Sequence, residues 1–206
     1  MDKVFFDLDG TLINAQKRLY QLFKELCPEC NLTEEEYNTL KRARISQKVL
    51  LKEKYNYNDS QIEIFHKIWM EKIEEKERIE TDFPYVGTTI LLKKLSQNHE
   101  LYLVTNRQKK ELVYCQIEKL GWKMFFKNLL ITEGKESKAN LIRSTTVPLH
   151  CNVLIGDTGE DIKCAKELNI HSIAVCWGTL SKKILSEYTP DFIVERMEDF
   201  DQCPFL

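Results

Sequence analysis

An excess of charge of one sign is missing from this chain. Its 30 lysines and arginines nearly cancel 32 aspartates and glutamates, leaving a formal charge of −2, so neither a nucleic acid nor an anionic membrane surface is implied as a partner. Long apolar runs are missing as well: the longest, over residues 169–177, falls well short of the roughly 20 residues a membrane-spanning helix needs. Cysteine is present without organisation. Seven scattered thiols are an odd number and no signal peptide precedes Val4, which argues against a disulfide framework and for a reduced, cytoplasmic protein. Cys27-Pro28-Glu29-Cys30 has metal-ligand or redox spacing, but zinc needs four ligands and no second pair accompanies it. His66, His99, His150 and His171 share no spacing, and neither internal repeats nor low-complexity segments occur.

What is present is an alternation. Short apolar runs at 4–8, 101–105, 129–132, 152–156, 172–175 and 192–194 read as strands, and the segments 88–95, 109–120, 137–143, 159–168 and 180–187 carry helical apolar spacing with charged outer faces. Strand and helix in turn predict an α/β protein with a parallel, doubly wound sheet, which binds ligands at the carboxyl ends of its strands. A length of 206 residues accommodates one such core and a modest second module. Residues 14–84 break the alternation: helical patterns follow one another with no convincing strand, which predicts an all-helical cap at 14–84 inserted into a core of 1–13 and 85–206. Within it, Thr33-x-x-Glu36 and Ser60-x-x-Glu63 resemble capping boxes. Ile62, Phe65, Trp69 and Ile73 share one helix face, and that helix is expected to end near 81–84, where Pro84 disfavours helical geometry. The charge run at 71–78 reads as a solvated helix face.

Chemistry concentrates where strands end. Asp7-Leu8-Asp9-Gly10-Thr11 follows the first apolar run, and a turn at Gly10 lets Asp7 and Asp9 converge. Two carboxylates this close call for a proton or a hard divalent cation such as Mg²⁺ between them. Thr105-Asn106-Arg107 ends a second strand with a hydroxyl and backbone N–H groups suited to a phosphate oxygen. Gly156-Asp157-Thr158-Gly159-Glu160-Asp161 ends a third, with Asp161 early in the next helix and directed back towards Asp157. Between them, Gly134-Lys135-Glu136-Ser137-Lys138 precedes a helix and offers a lysine, Lys135 or Lys138, to pair with a phosphate.

In this order the four segments resemble the motifs of the haloacid dehalogenase superfamily, in the branch with a helical cap after the first motif, and Ala165-Lys166-Glu167-Leu168-Asn169-Ile170 followed by Val175-Cys176-Trp177-Gly178 resembles its phosphoglycolate phosphatase-like members. The resemblance implies that Asp7 is a nucleophile forming an aspartyl-phosphate and that Asp9 is the general acid and base. It further implies that Mg²⁺ is held by the Asp7 carboxylate, the Asp9 carbonyl and Asp157 with Asp161 behind them, that Thr105, Asn106 and Lys138 bind the phosphate, and that Asn106 orients the nucleophile loop; Lys138 is favoured over Lys135 because it opens the following helix, as the family's lysine commonly does. The implied activity is hydrolysis of a small phosphorylated metabolite, with a monomer favoured. A phosphomutase similar to β-phosphoglucomutase and a non-catalytic phosphate-binding module are the alternatives. In the cap, Lys41, Arg42, Arg44 and Lys48 form a basic group, and Arg42 and Arg44 are candidates for contacts to the leaving portion of a substrate.

Overall fold

A computed structural model describes residues 2–145 and 152–206, so His150 lies outside the described residues. Along the chain it comprises β1 (Lys3–Phe6), β2 (Ile13–Asn14), α1 (Gln16–Leu26), α2 (Glu34–Arg42), α3 (Gln47–Tyr55), α4 (Asp59–Lys72), α5 (Lys76–Ile79) and β3 (Phe83–Pro84). There follow α6 (Thr88–Leu95), β4 (Glu100–Thr105), α7 (Lys110–Lys119), β5 (Phe126–Ile131), α8 (Lys138–Arg143), β6 (Val153–Gly156), α9 (Gly159–Leu168), β7 (His171–Val175), α10 (Lys182–Glu187) and β8 (Phe192–Val194).

Six strands form a parallel sheet in the order β5-β4-β1-β6-β7-β8. Because β1 is buried on both faces, Val4, Phe5 and Phe6 are all fully inaccessible, as befits a central parallel strand. Alternation sorts their side chains. Val4 and Phe6 pack with Leu103 and Ile155 under Leu92 of α6 and Ile117 of α7, whereas Phe5 packs with Val104 and Leu154 under Ile142 of α8 and Ala165 of α9. Helices therefore cover both faces, and the fold is the doubly wound α/β class that the alternation predicts. Connections leave β1 towards β4 on one side and β6 towards β7 on the other, so the crevice at a strand-order switch lies at the carboxyl ends of β1 and β6.

Between β2 and β3 stand five helices with a core of their own. Leu22 and Phe23 of α1, Tyr37 of α2, Leu50 and Leu51 of α3, and Ile62, Phe65 and Trp69 of α4 form one apolar cluster, in which Phe23 lies 4.9 Å from the Tyr37 ring and 5.6 Å from that of Phe65. Cys27 and Cys30 are free thiols buried in this cluster, and burial pushes Cys27 up to about 11. Their spacing serves packing.

Four details depart from the sequence reading. The helix expected to run to 81–84 stops at Lys72, because Arg18 Nη1 takes the Ile73 carbonyl at 3.1 Å and the chain restarts as α5. Within the 71–78 charge run, Glu74 is only 4% exposed. The box that opens α4 is Asn58 with Gln61, two residues ahead of the Ser60 and Glu63 pair, whereas Thr33 and Glu36 do cap α2 reciprocally. Ile13–Asn14 and Phe83–Pro84 pair as a two-residue antiparallel ribbon where the helical segment leaves and rejoins the sheet, too short for alternation to announce.

Since the helical segment rests on one aromatic cluster, Phe23→Ala should cost about 3–5 kcal/mol of stability, read as a lower midpoint in urea denaturation. A loss below about 1 kcal/mol would show that this core is not what holds the segment together.

Candidate active site

Asp7 continues the β1 ladder, its N–H donating to the Ile155 carbonyl at 2.9 Å, so the ends of β1 and β6 are locked side by side. Gly10 turns the chain with φ +85°, and the turn lets the Leu8 carbonyl accept from Leu12 and Ile13. This brings Thr11 beneath the carboxylates, where its hydroxyl lies 3.4 Å from Asp7 Oδ2 and 3.3 Å from Asp157 Oδ1. Trp177 fixes the same turn by donating its indole N–H to the Thr11 carbonyl at 3.0 Å.

Asp7, Asp157 and Asp161 are buried, and one carboxylate oxygen of each lies within 4.8 Å of the other two. Lys138 Nζ bridges two of them, 2.6 Å from Asp7 Oδ1 and 2.6 Å from Asp161 Oδ1. Its position follows from α8, which Ser137 caps through the Asn140 N–H and which begins at Lys138 itself. Lys135, three residues earlier, pairs with Glu133 on the surface. The other Asp161 oxygen accepts from the Thr158 hydroxyl at 2.6 Å, and Asp157 Oδ2 accepts from the Thr179 N–H at 2.5 Å. Burial raises Asp7 well above the usual carboxylate range although Lys138 opposes it, and burial with the Asp161 charge pushes Asp157 up to about 6. Crowded carboxylates with raised proton affinity are what a hard cation relieves: the donors are all oxygen, as Mg²⁺ prefers.

Asp9 lies in a different environment. Arg107 grips it with two nitrogens, Nε at 2.5 Å and Nη2 at 2.7 Å, and Arg18 Nη2 adds a third contact at 2.5 Å. Both arginines also reach Asp82, whose side chain is fully buried, at 3.0 and 3.1 Å. Burial by itself would raise Asp9, yet the two guanidiniums override it and hold the carboxyl well below its ordinary range. Sequence reasoning assigns no site role to Arg18, Arg107 or Asp82, and it places Glu74 on a solvated face although the residue is buried. Arg107 directly follows the strand-ending Thr105-Asn106, and Arg18 and Asp82 stand near the two ends of the helical insertion; those positions were the available signals.

A cavity of about 260 Å³ joins these groups. Asp7, Asp9, Thr105, Asn106, Lys138 and Asp161 face it from the sheet side, and Arg18, Leu19, Met70 and Ile73 from the helical side. Thr105 is buried, and its hydroxyl accepts from the Arg107 N–H at 3.4 Å, while Asn106 is exposed. Arg42 and Arg44 do not line this cavity. Arg42 donates to the Gly178 and Cys176 carbonyls at 2.7 and 2.8 Å, and Arg44 pairs with Glu187 at 2.9 Å, so both bind the helical segment to the loop and helix after β7.

The haloacid dehalogenase-like hydrolase family model matches residues 4–175. The chain belongs to that family. Among curated relatives, pyrophosphatase PpaX of Oceanobacillus iheyensis is 25% identical over 217 residues, covering 95% of this chain and 93% of its own. Phosphoglycolate phosphatase of Aquifex aeolicus is 26% identical over 211 residues, covering 97% and 94%. In fold the chain is similar to a haloacid dehalogenase-like hydrolase from Streptococcus pneumoniae, with a TM-score of 0.78 at 22% identity and coverage of 98% and 97%. It is thus a hydrolytic enzyme whose relatives along nearly its whole length are named as phosphatases. Among the described residues no helix is long and apolar enough to cross a membrane.

Gly178 shows how tightly the site is built. A Cβ there would lie 2.3 Å from the Gly10 carbonyl oxygen and 2.4 Å from Asp157 Oδ2, so Gly178→Ala must displace the turn or the carboxylate. The expected cost is about 1–3 kcal/mol of stability with a drop in turnover of about 100-fold, read by thermal denaturation and an activity assay. Unchanged turnover would mean that neither Gly10 nor Asp157 needs its present place.

Proposed function

We propose that the protein is a Mg²⁺-dependent phosphatase that hydrolyses a small phosphorylated metabolite through an aspartyl-phosphate on Asp7. The observation that carries this reading is the gathering of Asp7, Asp157, Asp161 and Lys138 at the carboxyl ends of β1 and β6, where Asp7, Asp161 and Lys138 line the cavity. In this reading, residues 1–13 and 85–206 form the catalytic core and residues 14–84 the cap.

The Asp7 carboxylate attacks phosphorus, the ester oxygen departs, and water then attacks the acyl phosphate to release inorganic phosphate and restore Asp7. Lys138, held beside Asp7 Oδ1, and Thr105 take the phosphoryl oxygens as charge builds on them. Asp9 exchanges the protons. Its ionised form, which Arg18 and Arg107 enforce in the present arrangement, is the one that accepts a proton from the attacking water; giving a proton to the leaving oxygen requires those contacts to relax. Asp7, the Asp9 carbonyl and Asp157 would hold Mg²⁺, with Asp161 supporting them. The bound ion would offset the repulsion between the carboxylates and the entering phosphate.

Substrate size follows from the cavity. About 260 Å³ walled by Leu19, Met70 and Ile73 accommodates a phosphoryl group with a compact leaving group, and the relatives' names supply two of that size, phosphate from pyrophosphate and glycolate from phosphoglycolate. A screen of small phosphate esters and pyrophosphate with released phosphate as the readout tests this reading. The wild-type protein should turn over with Mg²⁺ and stop in excess chelator, and Asp7→Asn should lose essentially all activity with an unchanged circular dichroism spectrum. Full activity in Asp7→Asn, or in excess EDTA, would contradict the assignment.

A further inference from the structure

Glu74 is out of place for a residue in a charge run. It is buried at 4% exposure, and both of its carboxylate oxygens are used: Oε1 accepts from the Gln108 N–H and Oε2 from the Lys109 N–H, each at 2.8 Å. Those amides belong to the core, at the amino end of α7, where backbone N–H groups have no partner within the helix and a negative charge is favoured. A buried carboxylate must recover its lost hydration from such charge-assisted bonds. A cap residue has therefore been placed against the core by specific bonds.

The contact closes a ring. From Asp9, Arg18 Nη2 leads into the cap, and Arg18 Nη1 holds the Ile73 carbonyl, one residue before Glu74. Glu74 returns to the core at Gln108, next to Arg107, and Arg107 grips Asp9 again. The segment so held also carries Thr105 and Asn106. Glu74 and Gln108 face the cavity on one side and, on the other, an outer groove that Lys67 and Lys109 flank, so the pair stands in the wall between the site and its surroundings.

We propose that Glu74 is a positioning residue for the reaction: seated on the two amides when the cap is closed, it fixes the 105–107 segment, so that the phosphoryl-binding groups and the Arg107 grip on Asp9 are set together with closure. The role rests on the phosphatase reading above. Cap opening withdraws Glu74, frees the two amides and loosens the segment; closure restores it, which makes productive geometry conditional on a sealed cavity.

Amide hydrogen exchange and steady-state kinetics on the full chain test this together, with Glu74→Ala and Glu74→Gln, the latter keeping one carbonyl acceptor and serving as the milder variant for folding. Exchange at Gln108 and Lys109 should accelerate about 10- to 100-fold in Glu74→Ala, with amides of α9 unchanged. At a temperature where both variants give the wild-type circular dichroism spectrum, kcat for p-nitrophenyl phosphate should fall about 10- to 100-fold in Glu74→Ala and less in Glu74→Gln, with a smaller change in KM. A merely structural glutamate would lower the melting temperature without this graded kcat. Unchanged exchange at the two amides, or faster exchange with unchanged kcat, would overturn the proposal. Wild-type protein inactive on every phosphate compound tried would overturn the phosphatase reading, and the positioning role with it, even if the two amides are protected as described.

Discussion

Three buried carboxylates in one small space set the terms for the rest of this molecule. At 4.8 Å or less, each pair of charges repels by about 3 kcal/mol or more at an effective dielectric constant near 20, and burial adds to the cost of ionisation. Lys138 answers part of it by touching Asp7 and Asp161 at once. The Thr11 hydroxyl, the Thr158 hydroxyl and the Thr179 N–H answer more. What remains is a site with a standing affinity for positive charge, and the sheet presents it at the switch between β1 and β6, where the helix ends leave room for a ligand. The glycines at 10 and 178 follow from the same constraint, since any side chain there would collide with Asp157 or the turn below it.

A second, separate arrangement governs Asp9. Two guanidiniums and two carboxylates are matched in charge, all but Asp9 with buried side chains, with Arg18 arriving from the helical segment, Asp82 from the chain returning to the sheet, and Arg107 from the end of β4. Removing one member of such a cluster strands the others. Position of the helical segment and orientation of Asp9 are consequently not independent, and on the far side of that segment Arg42, held by the Gly178 and Cys176 carbonyls, seats it again on the loop that carries Thr179.

The sheet and the ends of its strands were legible because their causes are local. Buried parallel strands read as short apolar runs, and the carboxylates at 7 and 157 stand immediately after two of them. Ser137 ahead of Lys138 is a local cap signal, and it separates that lysine from Lys135. The apolar pattern places the start of β5 three residues late, because Lys127 and Asn128 are exposed at the sheet edge and interrupt its apolar run. What escaped depends on pairing across long stretches of chain: Arg18 with Asp82, Arg107 with Asp9, and Glu74 with two amides 34 and 35 residues on. Nothing in the 71–78 run distinguishes the one glutamate that turns inward. Arg42 and Arg44 illustrate the converse, since a basic cluster marks a need for anions or carbonyls but not which ones.

The central claim is that phosphorus is transferred to the carboxylate of Asp7 before it reaches water. Acid quenching of the wild-type enzyme during turnover, borohydride reduction and peptide mass spectrometry measure this directly, because an acyl phosphate is reduced to an alcohol whereas a free carboxylate is not. Homoserine should replace aspartate at position 7, and only when substrate is present. Sustained phosphate release with position 7 unreduced, or with the reduced residue elsewhere in the chain, would contradict it.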